Sequence, residues 1–244
     1  MIEVNDLWKS FGKVQALQGV SFTALDGQIT GLLGPNGAGK TTTLRILYTM
    51  LRPDRGSGVV DGYDAVKDPL EVQRRIGVLP ESRGLYPRLT ARENVRYFGR
   101  LQGLKGGQLE AQIDHLVALL DMQDIENRRV DGFSSGQRVK VAIARSLVHS
   151  PGNILLDEPT NGLDVMSTRA MRAFIRRLRD EGKCVLFSSH IMQEVSALCD
   201  HIVIIHDGLA VASGAPEALL KQTGMSNLED AFVAAIGSEE GLVR

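Results

Sequence analysis

The chain has 244 residues, a formal net charge of −1, 43% apolar content and 23% charged content. A chain of that length can bury a full interior, and its near-neutral balance argues against a bulk electrostatic grip on nucleic acid. The sequence contains no apolar run of about 18 residues, which excludes a spanning helix. Its opening, MIEVNDLWKSFGK, has no apolar core of the signal-peptide kind. Cys184 and Cys199 form no metal-type pair, the cysteine usage of a reducing cytosol.

In chain order, short apolar runs predict strands at 2–7, 20–24 and 29–33. The third runs into GPNGAGKT at 34–41, which fills the pattern G-x-x-x-x-G-K-[ST] and leads into a helical segment over 42–50. That is the strand–loop–helix setting a phosphate cradle needs. The backbone of Gly34, Pro35, Asn36, Gly37, Ala38 and Gly39 supplies the wrap, with N–H groups from all but Pro35. Lys40 adds a point charge at the β/γ oxygens, the Thr41 hydroxyl suits Mg²⁺, and Thr42 opens the helix behind them.

A further strand is predicted at 76–79, followed by LPESRGLY, in which Glu81 lies just past the strand end. Residues 85–150 change character, with helical periods and no convincing strand. Thr90 and Glu93 make a capping box for a helix over 91–102, and Ile113, Leu116, Val117 and Leu120 space out a second. In DGFSSGQRVKVAIARSLV, residues 131–148, Ser134 is an N-cap and Gln137 sits three residues on. The outward-pointing amides of such a helix start suit an anion.

The strand pattern then returns at 154–156, 185–188 and 202–205, and Asp207-Gly208 is a hairpin signal into 209–212. The first of these strands ends on Asp157 and Glu158, carboxylates that can hold Mg²⁺ and orient or deprotonate an attacking water. The second runs to His190, at the strand edge where open α/β sheets place their ligands. The tail after Pro216 reads as helical. The alternation predicts an α/β fold with a partly parallel sheet and a helical insertion.

These residues together resemble the nucleotide-binding subunits of ABC transporters over nearly the whole chain. GPNGAGKT corresponds to the Walker A, ILLDE at 154–158 to the Walker B and FSSGQ at 133–137 to the signature. NGLD at 161–164 matches the D-loop, and His190 the switch histidine. The resemblance implies a P-loop NTPase core of ABC type with a mixed sheet, an antiparallel β region and an inserted α-helical subdomain. The core would span 1–84 and 151–215, the helical subdomain 85–150 and a helical tail 216–244.

It further implies ATP and Mg²⁺ as cofactors, with Glu158, His190 and Lys40 catalytic and Thr41, Asp157 and Glu81 near the metal. Phe11 falls where the family stacks an aromatic on adenine, although a plain apolar side chain at a strand turn is the alternative. Two subunits would pair head to tail as a homodimer, so that Ser134, Ser135, Gly136 and Gln137 of one close on the nucleotide of the other. An integral membrane permease would be the second partner, with the chain at the cytoplasmic face of the membrane and no nucleic acid involved.

Two positions depart from the family pattern. Phe133 and Ser135 stand where the signature usually has Leu and its first Gly. Glu81 stands where the family has a Gln that contacts Mg²⁺ and senses the membrane partner. The Glu81 carboxylate either binds the metal more directly or faces solvent while Ser82 or Arg83 signals.

RGLYPRLTARENVRYFGRL and SSGQRVKVAIARSLVH resemble the ATP-binding subunits of two-component sodium exporters. The ending LEDAFV is shared with drug and antibiotic exporters. A non-transport ABC protein is disfavoured by the single cassette and the short insertion. A GTPase or small-molecule kinase is disfavoured by the lack of N-K-x-D. Arg92, Arg96 and Arg100 form a basic stripe, read as a solvated face in preference to a membrane-facing one. Arg169, Arg172, Arg176 and Arg179 read as solvated surface.

Overall fold

The computed structural model describes residues 1–82 and 84–237. Arg83 and the last residues of the predicted tail therefore lie outside the described residues. The chain opens with β1 (Ile2–Phe11), β2 (Val14–Ala24) and β3 (Ile29–Leu33), then α1 (Lys40–Leu47) behind the glycine-rich loop. β4 (Arg55–Val60), β5 (Tyr63–Asp64) and α2 (Pro69–Arg75) lead to β6 (Ile76–Leu79). Three helices follow, α3 (Ala91–Leu101), α4 (Gly106–Leu119) and α5 (Ser135–Leu147). The remainder is β7 (Asn153–Asp157), α6 (Val165–Asp180), β8 (Cys184–Ser189), α7 (Met192–Leu198), β9 (His201–His206), β10 (Leu209–Gly214), α8 (Pro216–Thr223) and α9 (Leu228–Ile236).

The strands form two sheets. An antiparallel sheet has the order β2-β1-β4-β5, and a six-stranded sheet has the order β10-β9-β3-β8-β7-β6. In the larger sheet β9, β3, β8, β7 and β6 run parallel and β10 is an antiparallel edge. Its central strands read as continuous apolar runs because both faces are covered. Ile29, Leu33, Ile154, Leu156, Val185 and Phe187 enter the core shared with the helices. Leu32, Leu155, Cys184 and Leu186 point the other way, into the core beneath the antiparallel sheet.

Sequence periodicity missed β4, β5 and α2 and shortened β1 and β2. Gln15 and Gln18 interrupt the apolar pattern in the first half of β2, where Val14 and Gln15 are exposed, since one face of an antiparallel sheet can meet solvent. Arg100 and Arg169 are exposed as expected, but the rest of the two basic stripes is corrected more sharply. Arg92 pairs with Glu110, Asp114 and Glu126, and Arg96 pairs with Glu110, so α3 is tied to α4 and the following loop. Arg172 contacts Glu194, Arg176 donates to the Ala197 carbonyl, and Arg179 reaches Asp200. These arginines therefore clamp α6 onto α7 and the residues after it. A sequence shows that a helix face is basic but not that a second acidic face opposes it.

Candidate functional site

All the predicted chemistry of the first phosphate site gathers at the C-terminal edge of the parallel strands. β3, β7 and β8 lie side by side in register, with Leu33 opposite Ser189 and Asp157 opposite Ser188. The loops leaving these strands must therefore meet. The loop at 34–41 turns directly into α1, so the amides of the helix start face the same edge. Gly39 has φ +109°, and a Cβ there would stand 2.6 Å from the Ala16 carbonyl oxygen. Any side chain at that position would meet both a backbone and a conformational obstacle.

Lys40 is 5% exposed. Its Nζ donates to the Gly34 carbonyl at 2.7 Å and the Pro35 carbonyl at 3.1 Å, and lies 3.6 Å from Glu158 Oε1. Burial pushes its pKa down, and the charge of Glu158, with smaller contributions from Asp157 and Glu81, opposes that shift.

Asp157 is buried at the end of β7 and accepts from the Thr41 hydroxyl at 3.1 Å. A hydroxyl and a carboxylate oxygen are the hard donors that Mg²⁺ takes, and the pair fits such an ion. Glu158 follows in the left-handed region at φ +47°, which a residue with a side chain adopts only where its surroundings fix it. Its Oε2 lies 3.0 Å from His190 Nδ1. One carboxylate thus faces a cation and an imidazole at the mouth of a phosphate loop.

The second anion-ready helix start forms as expected. The Ser134 hydroxyl accepts from the Gln137 N–H, and the Gln137 side chain accepts from the Ser134 N–H, closing a capping box on α5. α5 packs on α3, α4 and β6. A Cβ on Gly136 would stand 2.9 Å from Ser167 Oγ on α6, whose N-cap is Asp164.

Residues 17–161 match the protein family described as ABC transporter. The chain belongs to the ABC transporter family. The cassette is 50% identical over 224 residues to the ABC transporter ATP-binding protein NatA of Bacillus subtilis (strain 168), covering 91% of each chain. It is 32% identical to the linearmycin resistance ATP-binding protein LnrL of the same organism, over 98% of this chain and 79% of that one. Among solved structures it is similar to the dimeric post-hydrolysis state of the ATP-binding cassette MJ0796 bound to ADP and Pi. That match has a TM-score of 0.79 and 25% identity, over 88% of this chain and 98% of the other.

Within the cassette, Lys40, Thr41, Asp157, Glu158 and His190 come together as the sequence predicts. Phe11 ends β1, half exposed, with Lys9 Nζ 5.7 Å from its ring centroid. Glu81 is exposed beyond β6 and lines a 740 Å³ cleft with Gly84, Ser135, Arg138 and Asn161. It does not join Asp157 and Glu158 in a metal-holding cluster of three acids among the described residues. No described helix is long and apolar enough to cross a membrane.

The sequence reading missed Ser188. Its hydroxyl donates to Asp157 Oδ1 at 2.6 Å and accepts from the Glu158 N–H at 3.0 Å. It also missed buried Glu194, which accepts from the Thr160 hydroxyl and contacts Arg172 at 3.5 Å. The signal for the first was available as two hydroxyls at the end of the otherwise apolar strand CVLFSS.

Proposed function

We propose that the cassette hydrolyses ATP and so powers export through a separate integral membrane permease, docked at the cytoplasmic face of the membrane. The observation that carries this reading is the placing of Glu158 between Lys40 and His190 at the mouth of the glycine-rich loop. In phosphoryl transfer to water the protein contributes positioning and charge stabilisation. The loop 34–39, through its N–H groups other than at Pro35, and Lys40 hold the phosphates. Thr41 and Asp157 would hold Mg²⁺, which would supply charge neutralisation for the phosphate oxygens.

Glu158 takes the proton of the attacking water on its carboxylate, and His190 Nδ1 keeps that carboxylate aimed. Phe11 offers its open face to the adenine ring, a stacking contact worth about 1–3 kcal/mol. Glu81 stays at the rim, where its charge acts on Lys40 through space.

The working unit is a head-to-tail homodimer in which Ser134, Ser135, Gly136 and Gln137, presented by the helical segment 85–150, close on the partner subunit's nucleotide. The dimeric state of the similar MJ0796 cassette supports this arrangement. Sodium ion is the proposed cargo, supported by the segments that resemble sodium-exporter subunits and by the 50% identity to NatA. The likeness to a linearmycin resistance protein favours drug or antibiotic export as the second reading.

The deciding experiment co-expresses the chain with a six-span permease in cells sensitive to sodium. ATP-dependent Na⁺ efflux, lost in Glu158→Gln, is expected. Unchanged Na⁺ retention together with acquired drug resistance would transfer the assignment to the second reading.

A further inference from the structure

The two carboxylates after β7 are held by one side chain from the neighbouring strand. β8 places Ser188 directly opposite Asp157, and Ser188 is fully buried. A serine hydroxyl has one proton to donate and two lone pairs to accept with. Here the proton goes to Asp157 Oδ1 and a lone pair takes the Glu158 N–H. The Thr41 hydroxyl converges on the same Oδ1. Among the described residues no donor reaches Asp157 Oδ2, so that oxygen is the one left to face a cation.

The second bond acts on the backbone. Glu158 sits at φ +47°, and its N–H bond to Ser188 tethers the residue in this sparsely populated conformation. From there one carboxylate oxygen reaches Lys40 and the other His190. We propose that Ser188 is a positioning residue for ATP hydrolysis, fixing through one hydroxyl both the carboxylate of Asp157 that faces the metal and the backbone turn that aims Glu158. The proposal rests on the function assigned above.

Removing the hydroxyl leaves the Glu158 N–H buried without a partner and Asp157 held by the Thr41 hydroxyl alone. Loss of a group that orients a metal's carboxylate typically weakens metal affinity or activity about 10–100-fold. The variants are Ser188→Ala, Ser188→Cys, which keeps the shape with a weak donor, and Ser188→Thr, which keeps the hydroxyl. Each is measured for ATP binding in EDTA, Mn²⁺ binding with ADP by electron paramagnetic resonance, melting temperature, and kcat and KM for ATP.

The expected result is a kcat down about 10–100-fold in Ala and Cys with KM near wild type, and weakened Mn²⁺ binding. ATP binding in EDTA should stay within about twofold, because the phosphate loop is untouched, and Thr should restore most of the loss. Wild-type kcat and Mn²⁺ affinity in either Ala or Cys overturns the proposal. So does a loss of ATP binding in EDTA that parallels the loss of turnover, because that marks general damage. Should the Ala variant melt before assay, the Cys variant alone decides. Glu158→Gln serves as the control. If it is inactive while Ser188→Cys is normal, only the positioning proposal fails; if it turns over normally, the function reading itself fails.

Discussion

Glu158 and His190 face each other across 3.0 Å from two neighbouring parallel strands, β7 and β8, while Lys40 closes on the other carboxylate oxygen from 3.6 Å. The carboxylate is 9% exposed, which leaves it largely screened from bulk water but at the edge where a phosphate would lie. Glu158→Gln should lower kcat about 10²–10⁴-fold, the usual contribution of a general base. ATP binding by the isolated chain, measured by calorimetry, should change little. His190→Ala should lower kcat less than Glu158→Gln, since His190 acts through the glutamate.

Gly136 makes a separate case. It faces the proposed partner nucleotide and also packs against Ser167, so Gly136→Ala mixes two effects. The double variant with Ser167→Ala removes the intramolecular clash and leaves the other. Hydrolysis by the double variant should stay low while ATP binding remains normal, because the added methyl still meets the partner's phosphates. Recovery of turnover in the double variant would assign Gly136 to packing against α6 alone.

The legible part of this fold is the part whose geometry is local. GPNGAGKT declares itself because strand, loop and helix are consecutive, and Ser134 with Gln137 because a capping box spans four residues. Asp157 and His190 were readable as strand-end residues, since consecutive apolar runs in a parallel sheet deliver their ends to one edge. Ser188 was hidden because its partners lie about thirty positions upstream and meet it only through strand register. β4 and β5 carry little signal because RGSGVV is short, glycine-bearing and half exposed, and YD is only two residues long. The arginine stripes misled because solvated and ion-paired faces look alike until the opposing helix is placed.

The α3–α4 ion network predicts an acid-sensitive part of the stability. Hydrogen bonds from Arg96, then Arg92, hold the Glu110 carboxyl down to about 2, below its ordinary 4.5. A carboxylate depressed in the folded state stabilises fully above its ordinary pKa, and that contribution is lost as pH falls from 4.5 towards 2. Glu110 is 40% exposed, so solvent screening limits the effect to about 1 kcal/mol or less. Urea titrations should therefore show Glu110→Gln less stable than wild type at pH 7, with the difference shrinking below pH 4.5. A difference that grows in acid would contradict the sign.

Burial pushes the Cys184 thiol up to about 12, and burial also raises Cys199 well above its ordinary value. Thiolate is the reactive form, so neither should react with Ellman's reagent at pH 7.5 in the native protein. Both should react after unfolding. Rapid native labelling would show that β8 or the end of α7 opens readily.

Two copies should close around nucleotide, each completing the other's site. Sedimentation of Glu158→Gln with saturating Mg-ATP checks this. A stable dimer with two ATP per pair is expected, reverting to monomer in ADP or on adding Gly136→Ala. A chain that remains monomeric at saturating Mg-ATP, with both nucleotide and metal shown to be bound, would contradict it.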